Sequence, residues 1–198
     1  MKQAYLITEG VSDQEILKTV ITPHLLSRVD FVAGAGRYSA QSLARSILAT
    51  EQVPVALVLD ADTVVATAVR EQFDLLKTSL HQASPGGQFE IFLAEPEIEV
   101  LLIQDWDFIK HLAGRDEFSP LEVEFAQLHP KKFLLSLLEH EPYPVVLRNL
   151  LKQISPKTVE IIQKHPLVNG LNTFLLSTIT QSAYRPIGQM AGVHLHTM

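Results

Sequence analysis

The chain contains no cysteine. That excludes a disulfide framework and any thiolate-ligated zinc site. No apolar run approaches the roughly 18 residues that span a bilayer. The opening segment MKQAYLITEG does not read as a secretory signal, because its apolar patch is short and Glu9 interrupts it. These absences together predict a cytoplasmic protein with no membrane partner. Positive charge is also scarce: 16 Lys and Arg stand against 22 Asp and Glu, a net charge of −6. Residues 1–139 carry 11 basic and 20 acidic side chains, and residues 140–198 carry 5 and 2. Such a chain gains no general attraction to nucleic acid, so a role there needs metal ions, a local basic surface or a partner. Also missing are a G-x-x-x-x-G-K-[ST] phosphate loop, internal repeats and low-complexity tracts.

What is present suits one domain, or one domain with an appendage. Of 198 residues, 46 % are apolar, enough for a substantial core. In the first half, short apolar stretches alternate with helical stripes. Strands are expected at 3–8, 29–33, 53–59 and 89–94. Helices are expected at 12–22, 39–50 and 63–81. Ser12 with Glu15 reads as a capping box for the first, and Val65, Val69, Phe73 and Leu76 read as the inward face of the third. This spacing predicts an α/β fold with a mostly parallel sheet of about four strands and helices on both faces. From Pro96 onward no strand is expected. Helical pieces are read at 97–103, 107–112, 120–128, 130–139, 144–154, 156–165 and 167–180, several with proline in the first turn. The expected organisation is an α/β domain over 1–103 and a helical subdomain or cap over 104–198, with a weakly patterned tail from 181.

The stretch VPVALVLDADT, residues 53–63, runs an apolar strand into Asp60 and Asp62. Two carboxylates so close repel and are costly to bury unpaired, so a positive group is expected between them. In parallel sheets, ligands sit beyond the carboxyl ends of the strands. Glu9, the turn Gly34–Arg37, Asp60, Asp62 and Glu95 all follow expected strands and should gather on one edge. Carboxylate oxygens are hard ligands that select Mg²⁺ or Mn²⁺ over zinc. Glu9 is the expected third ligand. The turn GAGR is either a plain strand-to-helix turn or a phosphate cradle, with Gly34 and Gly36 allowing backbone approach and Arg37 adding charge.

A strand ending in Glu-Gly (YLITEG) and a later strand ending in Asp-x-Asp (ALVLDAD) resemble the TOPRIM domain. The wording EGVSDQEILKTVI and VLDADT is most similar to OLD-type nucleases and small stand-alone TOPRIM proteins, over roughly residues 1–103. The resemblance implies a Rossmann-like TOPRIM fold acting on phosphodiester bonds of DNA or RNA. It implies Glu9 as general acid/base or metal ligand, Gly10 for a tight turn, and Asp60 and Asp62 as metal ligands. A further acid is expected among Glu95, Glu97 and Glu99, with Glu95 and Glu97 preferred. The implied activity is a Mg²⁺- or Mn²⁺-dependent nuclease, in phage defence or DNA repair. Because OLD-type enzymes carry an ATPase domain, any ATPase here would be a separate subunit.

Two rival readings stay open at this point. One is a catalytically silent TOPRIM-like module that binds a partner. The other is a haloacid-dehalogenase-like phosphatase, whose D-x-D-x-[TV] pattern residues 60–64 satisfy; that family also needs a lysine and further aspartates at later strand ends. Lys131, Lys132, Arg148, Lys152, Lys157 and Lys164 read as solvated helix faces or a nucleic-acid groove. His194 and His196 read as tail.

Overall fold

The computed structural model describes residues 3–51, 53–137 and 141–183, with side chains up to residue 180. The expected helix at 130–139 runs partly beyond them, and so does the tail from Tyr184 with His194 and His196.

Four strands form one sheet: β1 (Ala4–Thr8), β2 (Val29–Ala33), β3 (Val55–Asp60) and β4 (Phe89–Ala94). Their order is β2-β1-β3-β4, and every pairing is parallel. A parallel strand covered on both faces needs a near-continuous apolar run. The central strands β1 (AYLIT) and β3 (VALVLD) have such runs, whereas the edge strands carry Asp30 and Glu90. The α/β class and the four parallel strands are as expected.

Helix α1 (Val11–Val20) lies on one face, and α3 (Arg37–Thr50) with α4 (Ala66–Ala83) lies on the other. Ile7, Leu57 and Leu59 of the sheet bury against Ala40, Ala44 and Leu48 of α3 and Leu76 and Leu80 of α4. Leu6, Ala56 and Val58 bury against Ile16, Leu17 and Val20 of α1. One-turn helix α2 (Pro23–Leu26) was not expected; Pro23 opens it instead of merely ending α1.

Two local expectations are corrected. Ser12 does not cap α1. Gly10 is the N-cap, and its N–H donates to the Asp13 carboxylate at 2.8 Å. Only Glu9 and Gly10 separate β1 from α1, so the helix starts before Ser12 could cap it. Helix α4 begins at Ala66, not 63, and Val65 is exposed. Asp62 adopts a left-handed backbone, φ 55°, and three residues of irregular backbone follow before the helix begins.

Beyond β4 the chain is helical among the described residues, as expected. A buried 3-10 helix (Ile98–Ile103) leads to α5 (Trp106–Ala113), α6 (Pro120–Leu128), α7 (Pro130–Leu137), α8 (Tyr143–Leu151), α9 (Pro156–Gln163) and α10 (Pro166–Ala183). Ser119 caps α6 reciprocally with Glu122. Helices α8 and α9 pack beside α1, and α10 crosses β1, β3 and β4 on the same face. Their Leu147, Leu150, Ile162, Leu171 and Leu175 join the α1 side of the core. Among the described residues no helix is long and apolar enough to cross a membrane.

Candidate metal centre

Strands β1 and β3 are neighbours, but the chain leaves them in opposite directions, from β1 to β2 and from β3 to β4. That divergence opens a crevice at their carboxyl ends. Glu9 follows β1 directly, and Asp60 is the last residue of β3. The two are tied together, since the Asp60 N–H donates to Glu9 Oε1 at 3.1 Å.

Arg37, the first residue of α3, reaches into the crevice. Its Nη1 donates to the Asp60 carbonyl at 2.5 Å, and its Nη2 donates to Gln72 Oε1 at 2.6 Å. The same Nη1 lies 3.9 Å from Glu9 Oε1 and 3.6 Å from Asp62 Oδ2. Gln72 in turn donates to the Ala61 carbonyl at 3.0 Å. A positive group therefore does stand near both aspartates, and it is a guanidinium. It bridges Glu9 and Asp62, whose side chain is 72 % exposed. Arg37→Ala removes two hydrogen bonds from a charged donor, and such bonds are worth about 1.5–3 kcal/mol each at most. The expected net loss is about 2 kcal/mol, a drop in Tm of about 4–8 °C. A melting point within 1 °C of wild type would show that the clamp adds nothing to stability.

The Asp60 carboxylate turns the other way. Its Oδ1 accepts the Ile98 N–H at 2.8 Å. On that side stand two further acids, Asp13 from α1 and Glu99 from the 3-10 helix, and both act electrostatically on Asp60. Burial and these carboxylates, with Glu9, push the Asp60 pKa up to about 8. Burial also raises the pKa of Glu9 and of Asp13. Glu99 is 1 % exposed. Its Oε1 accepts the Tyr143 hydroxyl and lies 3.4 Å from Lys131 Nζ. Its Oε2 is buried with no hydrogen-bond partner. Burial, then the Glu99 charge, raises the Tyr143 pKa, so this phenol stays a donor.

The remaining expected site residues lie as follows. Gly10 caps α1, and its N–H is engaged by Asp13. The N–H groups of Gly34 and Gly36 donate to the carbonyls of Thr8 and Glu9 at 2.9 and 2.8 Å. The GAGR turn thus spends these donors on the end of β1. Glu95 is exposed and lines a cleft of about 390 Å³ between β4 and α4. Glu97 accepts the Lys131 N–H at 3.3 Å. Of the three glutamates in LAEPEIEVLL, the one set against Asp60 is Glu99.

Glu99 and Asp13 had sequence signals of a modest kind. A carboxylate inside the apolar run IEVLLI has to be buried and therefore paired. An acid three residues after Glu-Gly falls on the first turn of the following helix. Lys131, Tyr143 and Gln72 had none, because only the packing of α7, α8 and α4 brings them here.

The donor set is all oxygen and strongly anionic, which suits a hard divalent cation. An unpartnered buried carboxylate oxygen and a carboxyl held protonated near neutrality are both marks of charge that a cation would compensate. Among the described residues, however, no three His, Asp or Glu side chains converge on one point as they stand.

No family model matches the chain, and no curated protein matches it. Among solved structures the chain is similar to the C-terminal region of the OLD protein of Xanthomonas campestris pv. campestris. The TM-score is 0.50 at 12 % identity, over 92 % of this chain and 98 % of that one. At that identity the likeness shows the fold alone.

Proposed function

We propose that this chain carries out Mg²⁺- or Mn²⁺-dependent phosphodiester chemistry on nucleic acid, as a nuclease of the TOPRIM type. The observation that carries the reading is Asp60. It sits at the carboxyl end of a central strand, at the point where the sheet's connections diverge, among Glu9, Asp13 and Glu99. A fold that only needed stability would not gather four acids there, because each raises the cost of ionising the next. The residues that would hold the cation are Glu9, Asp60 and Asp13, with Asp62 and Glu99 at either side. Such a cation supplies neutralisation of the phosphate and a water acidic enough to attack near neutral pH.

The chain's own groups do the rest. The Ile98 N–H fixes one Asp60 oxygen and leaves the other available. Tyr143 and Lys131 hold Glu99 in place. Arg37, next to the exposed Asp62, is the first cation an approaching phosphate would meet. Partners of this reading are DNA or RNA and a separate ATPase subunit in place of the ATPase domain that OLD-type enzymes carry.

Because Asp60 is held protonated near neutrality, cation binding must release its proton. The expected result is an Mg²⁺- or Mn²⁺-binding enthalpy at pH 7 that changes with the ionisation enthalpy of the buffer. It should correspond to roughly one proton per ion. Binding with no buffer dependence would remove Asp60 from the ligand set.

One observation favours the silent module instead. Arg37 already bridges Glu9 and Asp62, as a cation would. That reading predicts no cation binding and no metal-dependent cleavage of either DNA or RNA by the wild-type chain.

A further inference from the structure

Among the described residues, large apolar and aromatic side chains are exposed at a few places, and four of them stand within three residues of a site residue in the chain: Val11, Tyr38, Val64 and Val65. Val11 opens α1 two residues after Glu9, and Tyr38 follows Arg37 in the first turn of α3. Val64 and Val65 follow Asp62 by two and three residues. At about 3.8 Å per residue, Val11 and Val64 lie within about 8 Å of an acid of the site. Tyr38 is 84 % exposed. An aromatic ring held in the first turn of a helix, so far out of the core, contributes almost nothing to the fold.

Charge says what the ring can meet. Duplex DNA is gripped through its phosphates by many Lys and Arg side chains. Residues 1–139 carry 11 basic against 20 acidic residues. Arg37, the cation beside Glu9 and Asp62, is engaged with Asp60, Gln72, Glu9 and Asp62. Close to the site acids, part of the affinity for a polyanion must therefore come from elsewhere. Stacking of bases on aromatic side chains supplies it without sequence preference, but only where the bases are unstacked from their own neighbours. A cleft of about 380 Å³ opens between α3 and α4, lined by Arg37, Gln41, Gln72, Leu75, Leu76 and Ser79; Tyr38 follows Arg37 in the chain. The cleft is of the size to take a planar group with an apolar face.

We infer that the site acts on single-stranded or locally unstacked nucleic acid, with Tyr38 as the stacking platform for a base next to the scissile phosphate. The inference rests on the nuclease reading above and adds a substrate class to it.

The test uses the full chain, with oligonucleotides of one sequence offered as a single strand and as a blunt duplex. Binding is measured by fluorescence anisotropy in Ca²⁺, and cleavage in Mg²⁺ or Mn²⁺. Wild type should bind and cut the single strand in preference to the duplex. Tyr38→Ala should weaken single-strand binding by about 5- to 100-fold, raising KM more than it lowers kcat, while Tyr38→Phe should keep most of the affinity. Equal use of both forms by wild type, or a Tyr38→Ala chain that binds the single strand as wild type does, overturns the inference and leaves the nuclease reading intact. Failure of wild type to bind or cut any nucleic acid in metal overturns both. Because Tyr38 is so exposed, both variants should melt with wild type, so loss of binding cannot be read as loss of fold.

Discussion

Asp60→Asn should abolish metal-dependent cleavage and, in the absence of metal, make the protein more stable. The two effects have one cause. The folded chain holds the Asp60 carboxyl near a pKa of about 8 through burial and through Glu99, Asp13 and Glu9, while an unfolded aspartate titrates near 3.9. A pKa raised by folding contributes stability that is fully present below the unfolded value and is lost as pH rises through the folded one. Wild-type stability should therefore fall between about pH 4 and pH 8 by Asp60's share. Asparagine has no charge to desolvate, and its carbonyl can still accept the Ile98 N–H that Asp60 now accepts. The variant should melt at nearly the wild-type temperature at pH 4.5 and several degrees higher at pH 8.5. A gain of about 2 kcal/mol corresponds to about 4–8 °C in a chain of this size. Cleavage should fall at least about 100-fold, since groups that merely orient a metal ligand already cost about 10- to 100-fold. Thermal melts at the two pH values, with Mg²⁺ absent, and a cleavage assay check both halves. A variant less stable than wild type at pH 8.5 would show that the four acids are not in mutual conflict.

Gly34→Ala should be the most damaging substitution of a single methyl group in the site region. A Cβ at Gly34 would stand 2.4 Å from the backbone N of Ala40, 2.5 Å from its Cα and 2.7 Å from its Cβ. The obstacle is the first turn of α3, not a side chain that can swing aside. Ala40 is fully buried against the sheet, so α3 can yield only by lifting off it. Overpacking a well-packed core costs about 1–3 kcal/mol and occasionally more. Backbone against backbone belongs at the upper end, so the expected loss is about 3 kcal/mol and about 6–12 °C in Tm. Helix α3 also delivers Arg37, so the clamp on the Asp60 carbonyl should loosen with it. Gly36→Ala is the control. Its φ of 116° strains an alanine, but a Cβ there meets nothing within 4 Å. It should cost less than Gly34→Ala in a denaturant titration. The reverse order would mean that backbone strain, not close approach, is why glycines stand in this turn.

The close packing at Gly34 also shows where reading along the chain stops. GAGR has the composition of a phosphate-binding turn, and the glycines are needed. Gly34 is needed because α3 crosses it closely, and its N–H and that of Gly36 are spent on Thr8 and Glu9. Composition reports that a backbone must come near something. It does not report whether that something is a ligand or a neighbouring helix.

Much of the rest was written in the order of residues. The edge strands β2 and β4 begin and end at the expected residues, 29–33 and 89–94, even though they carry Asp30 and Glu90. Alternation of strand and helix sets the parallel connections, and parallel connections bring strand ends to one edge. That much places Glu9, Asp60, Asp62 and Arg37 together with no coordinates at all. Tertiary structure alone decided how the carboxylates divide. A left-handed residue at Asp62 turns its side chain out toward Arg37, while Asp60 faces inward to Ile98 and Glu99. The choice of Glu99 over Glu95 and Glu97 follows from the chain winding into a buried 3-10 helix after Glu97. Tyr143 and Lys131 arrive from helices some 30 to 45 residues further on. Sequence determines which groups are carried to an edge, because hydrophobic periodicity acts locally. Which way each group faces there, and what partner it meets, depends on distant helices filling the same core, and no local pattern encodes that.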